Sequence, residues 1–180
     1  MIRAFVALLP PPDIRSRLTV LQFLLPLPRR VETADLHLTL AFLGEVPDAV
    51  LSGLDEGLSR LRMAPFDIDL SGVGLFGGAR PRSAWAGVAA SEPLARLQAK
   101  VEHLARQAGA RIEARRFVPH VTLGRFAPPD PDDRLRLEGA VVTEARFLAG
   151  PWRVEEGMLM RSWGAGEGPR YQVLETYPLG

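Results

Sequence analysis

The sequence contains no cysteine, which excludes disulfides, thiolate metal sites and a cysteine nucleophile. Lysine is nearly absent: Lys100 is the only one, so the positive charge is carried by arginine. No hydrophobic run approaches the length of a membrane span. The opening MIRAFVALLPPP has too short an apolar stretch, and no small-residue cleavage site, for a signal peptide. No membrane association and a cytoplasmic address are therefore expected. The net charge is only +1, so no global basic field draws in long nucleic acid, although a local arginine cluster could still hold a phosphate end.

What remains is ordinary for a globular protein. The 180 residues are 47% hydrophobic and 24% charged, enough for one domain over residues 1–180 with a sizeable core. The exception lies in the histidines. There are three, and two of them open the same short pattern, His37-Leu38-Thr39-Leu40 and His120-Val121-Thr122-Leu123. Side chains alternate along a strand, so His and Thr two apart share one face while the intervening apolar residues face a core. Each stretch reads as a half-buried strand carrying an imidazole and a hydroxyl side by side on its open face.

The rest of the chain supplies the frame. Residues 2–9 read as a buried strand stopped by three prolines, followed by a helix with Ile14, Leu18, Leu21 and Leu25 at helical spacing. Strands are expected over 36–43, 66–75, 83–90, 118–126, 152–163 and 171–177. A second helix carries Val50, Leu54, Leu58 and Leu61. A third begins after Ser91 as N-cap and ends near Gly109. A Pro/Asp-rich loop at 128–133 precedes a short helix at 134–138, and a Gly-rich turn spans 164–168. Strand, helix and motif strand thus occur twice, with the motifs 83 residues apart (120 − 37). The expected fold is α+β: a bilobal duplicated unit of two mostly antiparallel sheets, helices packed outside, and a central active-site cleft.

Two imidazoles across a cleft can act as general base and general acid at one phosphorus, because their pKa lies near neutrality. The threonine hydroxyls would donate to the non-bridging oxygens as charge builds there. The activity of such a pair should fall on both sides of neutrality. Two histidines without nearby carboxylates make a poor zinc site, since zinc takes at least three protein ligands, and no nucleophile elbow supports a serine triad. No cofactor and no metal are expected. His103, in the third helix, reads as a packing or surface residue, and Phe42 and Phe126 read by default as core. Trp85, Trp152, Trp163, Tyr171 and Tyr177 read as packing rather than base-stacking residues.

These motifs, with RAFVALLPPPDIRSRL at the start and MLMRSWGAGEGPRYQVLETYPL at the end, make the chain resemble the two-histidine phosphoesterases. Within them it is similar to the RNA 2′,3′-cyclic phosphodiesterases, also called 2′-5′ RNA ligases. The resemblance implies metal-free hydrolysis of a 2′,3′-cyclic phosphate to a 2′-phosphomonoester. It implies His37 as general acid, His120 as general base, and Thr39, Thr122 and Arg125 on the phosphate. Phe42 is carried as a further substrate-binding candidate. Relatives often have a basic or polar residue where this chain has Ala41. Strand alternation turns Arg125 away from the His120 and Thr122 face, so that role requires the strand to bulge or end at Gly124. The expected partner is an RNA or oligonucleotide with a cyclic phosphate end, and a monomer is expected. Ligation, another small cyclic phosphate, and a nucleotide- or RNA-binding module remain alternatives.

Overall fold

The computed structural model describes residues 1–163 and 170–180, so the glycine-rich turn at 164–168 lies outside the described residues. Strand β1 (Ile2–Leu8) leads into helix α1 (Pro12–Leu24), strand β2 (Leu38–Val46) and helix α2 (Asp48–Ser59). Next come β3 (Phe66–Phe76), β4 (Ser83–Val88), α3 (Glu92–Gln107) and β5 (His120–Arg125). The chain closes with α4 (Pro131–Thr143), β6 (Leu148–Val154), β7 (Glu156–Trp163) and β8 (Arg170–Pro178). The helices start where local chemistry favours it. Ser91 and Asp130 accept from the backbone amides of Leu94 and Asp133, and prolines occupy the first turns of α1, α3 and α4.

The strands form one antiparallel sheet in the order β6-β3-β4-β5-β2-β1-β7-β8. This corrects the expectation of two separate sheets, for a simple reason. The two motif strands meet at the centre through a single residue pair, Leu38 with Val121, and that pair stitches two four-stranded halves into one sheet. Beyond it the strands part, and a cavity opens between them. The apolar residues of both motifs, Leu38, Leu40, Val121 and Leu123, are buried in the one main core.

Helix placement crosses the centre. Helix α1 follows β1 but packs against β5 and β6 of the other half; α3 follows β4 but packs against β2 and α2. Helix α4 lies on β3, and α2 reaches β8.

Three local readings change. The segment 152–163 is not one strand: β6 pairs with β3, β7 pairs with β1, and the chain passes from one half to the other at Glu155. The fourth helix runs from Pro131 rather than from 134, because Asp130 caps it and Pro131 takes its first turn, where a missing N–H does no harm. Phe42 is not core; it is 40% exposed.

The most consequential detail is a pair of β-bulges. In β2, Ala7 pairs with Thr39 and Val6 with Ala41, leaving Leu40 as the extra residue. In β5, Trp85 pairs with Thr122 and Ala84 with Gly124, leaving Leu123 extra. Both motif strands therefore bulge at the residue directly after the threonine.

Candidate active site

Each bulge resets the alternation of its strand. After Thr122 the extra Leu123 shifts the phase, so Arg125 returns to the face that carries the motif. Gly124 makes this possible. Its backbone runs against the segment before β2, where Arg30 bridges to it, and a Cβ there would stand 2.5 Å from the Arg29 carbonyl oxygen. In β2 the same step after Thr39 brings Phe42 to the position that corresponds to Arg125.

A cavity of about 780 Å³ opens where the motif strands part, and Thr39, Phe42, His120, Thr122 and Arg125 all line it. Five of the six expected site residues are thus brought together on one wall system. The sixth, His37, is not part of the lining. It is 9% exposed, with its ring between those of Phe5 (4.9 Å) and Tyr171 (5.1 Å). His120 is flanked in the same way by Phe76 (5.0 Å) and Trp85 (6.2 Å).

Both imidazoles are anchored alike. Nδ1 of His37 lies 2.6 Å from the carbonyl oxygen of Asp35, and Nδ1 of His120 lies 2.7 Å from that of Val118. A carbonyl only accepts, so each Nδ1 carries the hydrogen and each Nε2 keeps a free lone pair in the neutral ring. Burial pushes the His37 pKa down to about 4, against the raising effect of the bond to Asp35; the nearby Arg125 and His120 push the same way as burial. The His120 pKa is also lowered, first by burial and then by the charges of Arg125 and Arg115. Both rings are therefore neutral in the free protein at neutral pH.

Arg125 donates from Nη1 to the hydroxyl oxygen of Tyr171 at 3.0 Å. Tyr171 thereby touches both the His37 ring and the Arg125 guanidinium, joining the two halves of the site. Sequence reading placed it among packing residues, since an aromatic on a strand carries no signal for such a contact. Trp152 and Tyr177 are buried packing residues, the latter donating to Asp55 at 2.6 Å. On the outer rim, Arg111, Arg115 and Arg116 of the segment between α3 and β5 line the same cavity and are exposed. Among the described residues no group of three or more His, Cys, Asp or Glu side chains is placed to hold a metal ion, and no helix is long and apolar enough to cross a membrane.

The 2'-5' RNA ligase superfamily pattern matches residues 10–164. A Thermus thermophilus protein named RNA 2',3'-cyclic phosphodiesterase is 35% identical over 190 aligned positions, taking in 98% of this chain and 90% of its own length. A Geobacillus stearothermophilus protein of the same name is 32% identical over 162 residues, or 86% of this chain. The alignment takes in 49% of that protein, so the chain spans about half the length of this relative. Among solved structures, E. coli LigT complexed with 3'-AMP matches with a TM-score of 0.81 and 28% identity, over 99% of this chain and 98% of its own.

Proposed function

The chain belongs to the 2'-5' RNA ligase superfamily, and from that membership and the site geometry we propose that it hydrolyses RNA 2′,3′-cyclic phosphate ends to 2′-phosphomonoesters. The observation that carries the reading is the matched anchoring of His37 and His120, each with Nδ1 on the carbonyl two residues back and Nε2 left for chemistry. A pair built the same way twice suits two proton transfers at one phosphorus.

In the proposed reaction, the phosphate sits between Thr39, Thr122 and Arg125, whose donors meet its non-bridging oxygens. Nε2 of His120 takes a proton from water as the water oxygen attacks phosphorus. The P–O3′ bond breaks on the far side, and His37, which enters the step in its protonated form, gives the Nε2 proton to O3′. Proton exchange with solvent then returns both rings to their starting states. The assignment of acid to His37, and of O3′ as the leaving atom, rests on the family resemblance. With a 5′-hydroxyl in place of water as the attacking oxygen, the same groups acting in the same direction join the two ends through a 2′-5′ linkage. No step calls on a metal ion.

The two halves are read as one unit used twice, β1-α1-β2 answering β4-α3-β5, and facing each other as lobes across the cleft. The exchanged helices support reading residues 1–180 as a single domain. A cavity lined by residues of one chain supports reading the protein as a monomer, and an RNA substrate supports a cytoplasmic address. The exposed rim arginines suit phosphates upstream of the cyclic end.

Turnover of a 2′,3′-cyclic nucleotide in EDTA, with 2′- and 3′-phosphate products separated by chromatography, tests the reading. Hydrolysis to the 2′ isomer is expected. Activity lost in EDTA and restored by a divalent metal would overturn the metal-free step, and a mainly 3′ product would overturn the choice of leaving atom.

A further inference from the structure

We infer that Gln22 and Gln98 are positioning residues for the two motif threonines, each holding the main-chain bulge that follows its threonine. The inference rests on the reading in which Thr39 and Thr122 bind the phosphate.

A bulge residue is skipped by the ladder on one side. Leu40 has no partner on β1, and Leu123 none on β4. On the other side β2 and β5 touch only at Leu38 and Val121, so beyond that pair neither strand offers the other a hydrogen bond. Beyond that pair the Leu123 carbonyl takes one backbone donor from outside the strands, the Val31 amide, and the Leu40 carbonyl faces helix α3; a buried carbonyl left short of donors is costly. Each is met by a glutamine amide. Nε2 of Gln22 donates to the Leu123 carbonyl at 2.8 Å, beside the Val31 amide at 2.9 Å. Nε2 of Gln98 makes a longer contact of 3.4 Å to the Leu40 carbonyl.

The arrangement recurs across the two halves. Gln22 lies on α1 and reaches β5; Gln98 lies on α3 and reaches β2. Each therefore arrives on the helix that crosses from the other half, and each directly follows a buried leucine, Leu21 or Leu97. Gln22 is 2% exposed and spends its second hydrogen on the Val31 carbonyl at 2.8 Å. Gln98 spends its own on Glu102 at 2.6 Å. A glutamine buried so fully on a helix would be an unfavourable choice for packing alone, since a leucine would fill the space without a polar group to satisfy.

The bulges set the phase of both motif strands. If one relaxes toward a regular strand, the residues after it rotate by half a pleat, carrying Arg125 or Phe42 off the cavity face and shifting the threonine before it. A shift of about 1 Å at a group that contacts the transition state can lower the rate about 100-fold.

Double-mutant cycles test this. Gln22→Met keeps length and loses the donor, and should lower kcat about 10- to 100-fold. Gln98→Met, with the longer contact, should lower it about 3- to 10-fold. The decisive readout is which threonine each couples to. In a Thr122→Val background the Gln22→Met loss should shrink to within about threefold, and in a Thr39→Val background it should persist in full. Gln98→Met should show the mirror pattern, coupling to Thr39 and not to Thr122. A merely structural glutamine gives the same loss in every background, and that result, or no loss in kcat, overturns the inference. Gln98 is partly exposed, so if Gln22→Met fails to fold, the Gln98 cycle decides alone. A wild-type protein that does not open cyclic phosphates overturns the functional reading, and this inference with it. Wild-type turnover with multiplicative losses overturns this inference alone.

Discussion

Protonating His37 should destabilise the folded protein, and the size of the effect follows from its burial. The ring is 9% exposed, between Phe5 and Tyr171, with Arg125 and His120 as the charges that oppose a proton on it. Its pKa is pushed down to about 4 from the ordinary 6.5, which the unfolded chain keeps. Between those values the unfolded chain binds a proton that the folded chain does not. The folded pKa is the depressed one, so the stabilisation is complete above about 6.5 and is lost as pH falls toward 4. A gap of about 2.5 pH units at about 1.36 kcal/mol each gives a loss of about 3 kcal/mol by pH 4. Urea denaturation of wild type and His37→Gln at pH 8, 6, 5 and 4 isolates this group, because other titrations cancel in the difference. Wild type should lose about 3 kcal/mol relative to the variant across the series. A flat difference, or a His37 imidazole resonance that titrates at or above 6.5, would refute the reasoning. Catalysis inherits the same shift. At pH 7 only about one free molecule in a thousand carries a proton on His37, so kcat/KM should peak below 6.5 rather than at neutrality. A bound phosphate anion raises the pKa of both rings, which should place the kcat profile at higher pH than that of kcat/KM.

Three further outcomes are expected. His37→Ala and His120→Ala should each lower hydrolysis by about 10²–10⁴ with the fold retained by circular dichroism; a variant within threefold of wild type would remove that residue from the proton transfers. Thr39→Val and Thr122→Val should each lower kcat by about 10–10³, read in steady-state assays, and undiminished turnover in the double variant would end their assignment to the phosphate. Replacing Arg111 and Arg116 together by Gln should weaken kcat/KM for a short oligoribonucleotide with a cyclic end and flatten its salt dependence. A cyclic mononucleotide should be turned over as before; an equal loss on both substrates would show that the rim does not bind upstream phosphates.

The two His-x-Thr strands were legible in the sequence because their signal is local. His and Thr two apart, on a strand whose other residues are apolar, can share only one face. The bulges were hidden for the same reason. Leu38, Leu40 and Leu43, or Val121 and Leu123, look like plain burial, and nothing in the composition says that the ladder skips Leu40 and Leu123. The place of Arg125 could be framed as a condition on Gly124 but not settled, because the phase depends on pairing with β4. Nothing in the sequence marks Gln22 or Gln98, because their contacts are to strands of the other half of the sheet, far from their own neighbours in sequence. The start of the fourth helix is hidden because the Pro/Asp-rich stretch 128–133 reads as loop, whereas Pro131 occupies the helix's first turn.

The crossed helices bear on how the protein is made. Leu18 and Leu21, with Leu25 just past the end of α1, lie in the core that α1 shares with β5 and β6, about 100 residues later in the order of synthesis. Strand β1 is paired on one side by β2 but waits for β7, near residue 160, to cover the other. A nascent chain released up to β4 therefore has an apolar helix face and a strand edge with nothing to bury them. Such a fragment should be held by chaperones or aggregate rather than fold as a first half, and folding should wait for most of the chain. A stop codon between β4 and β5 would then yield an insoluble peptide rather than a folded fragment.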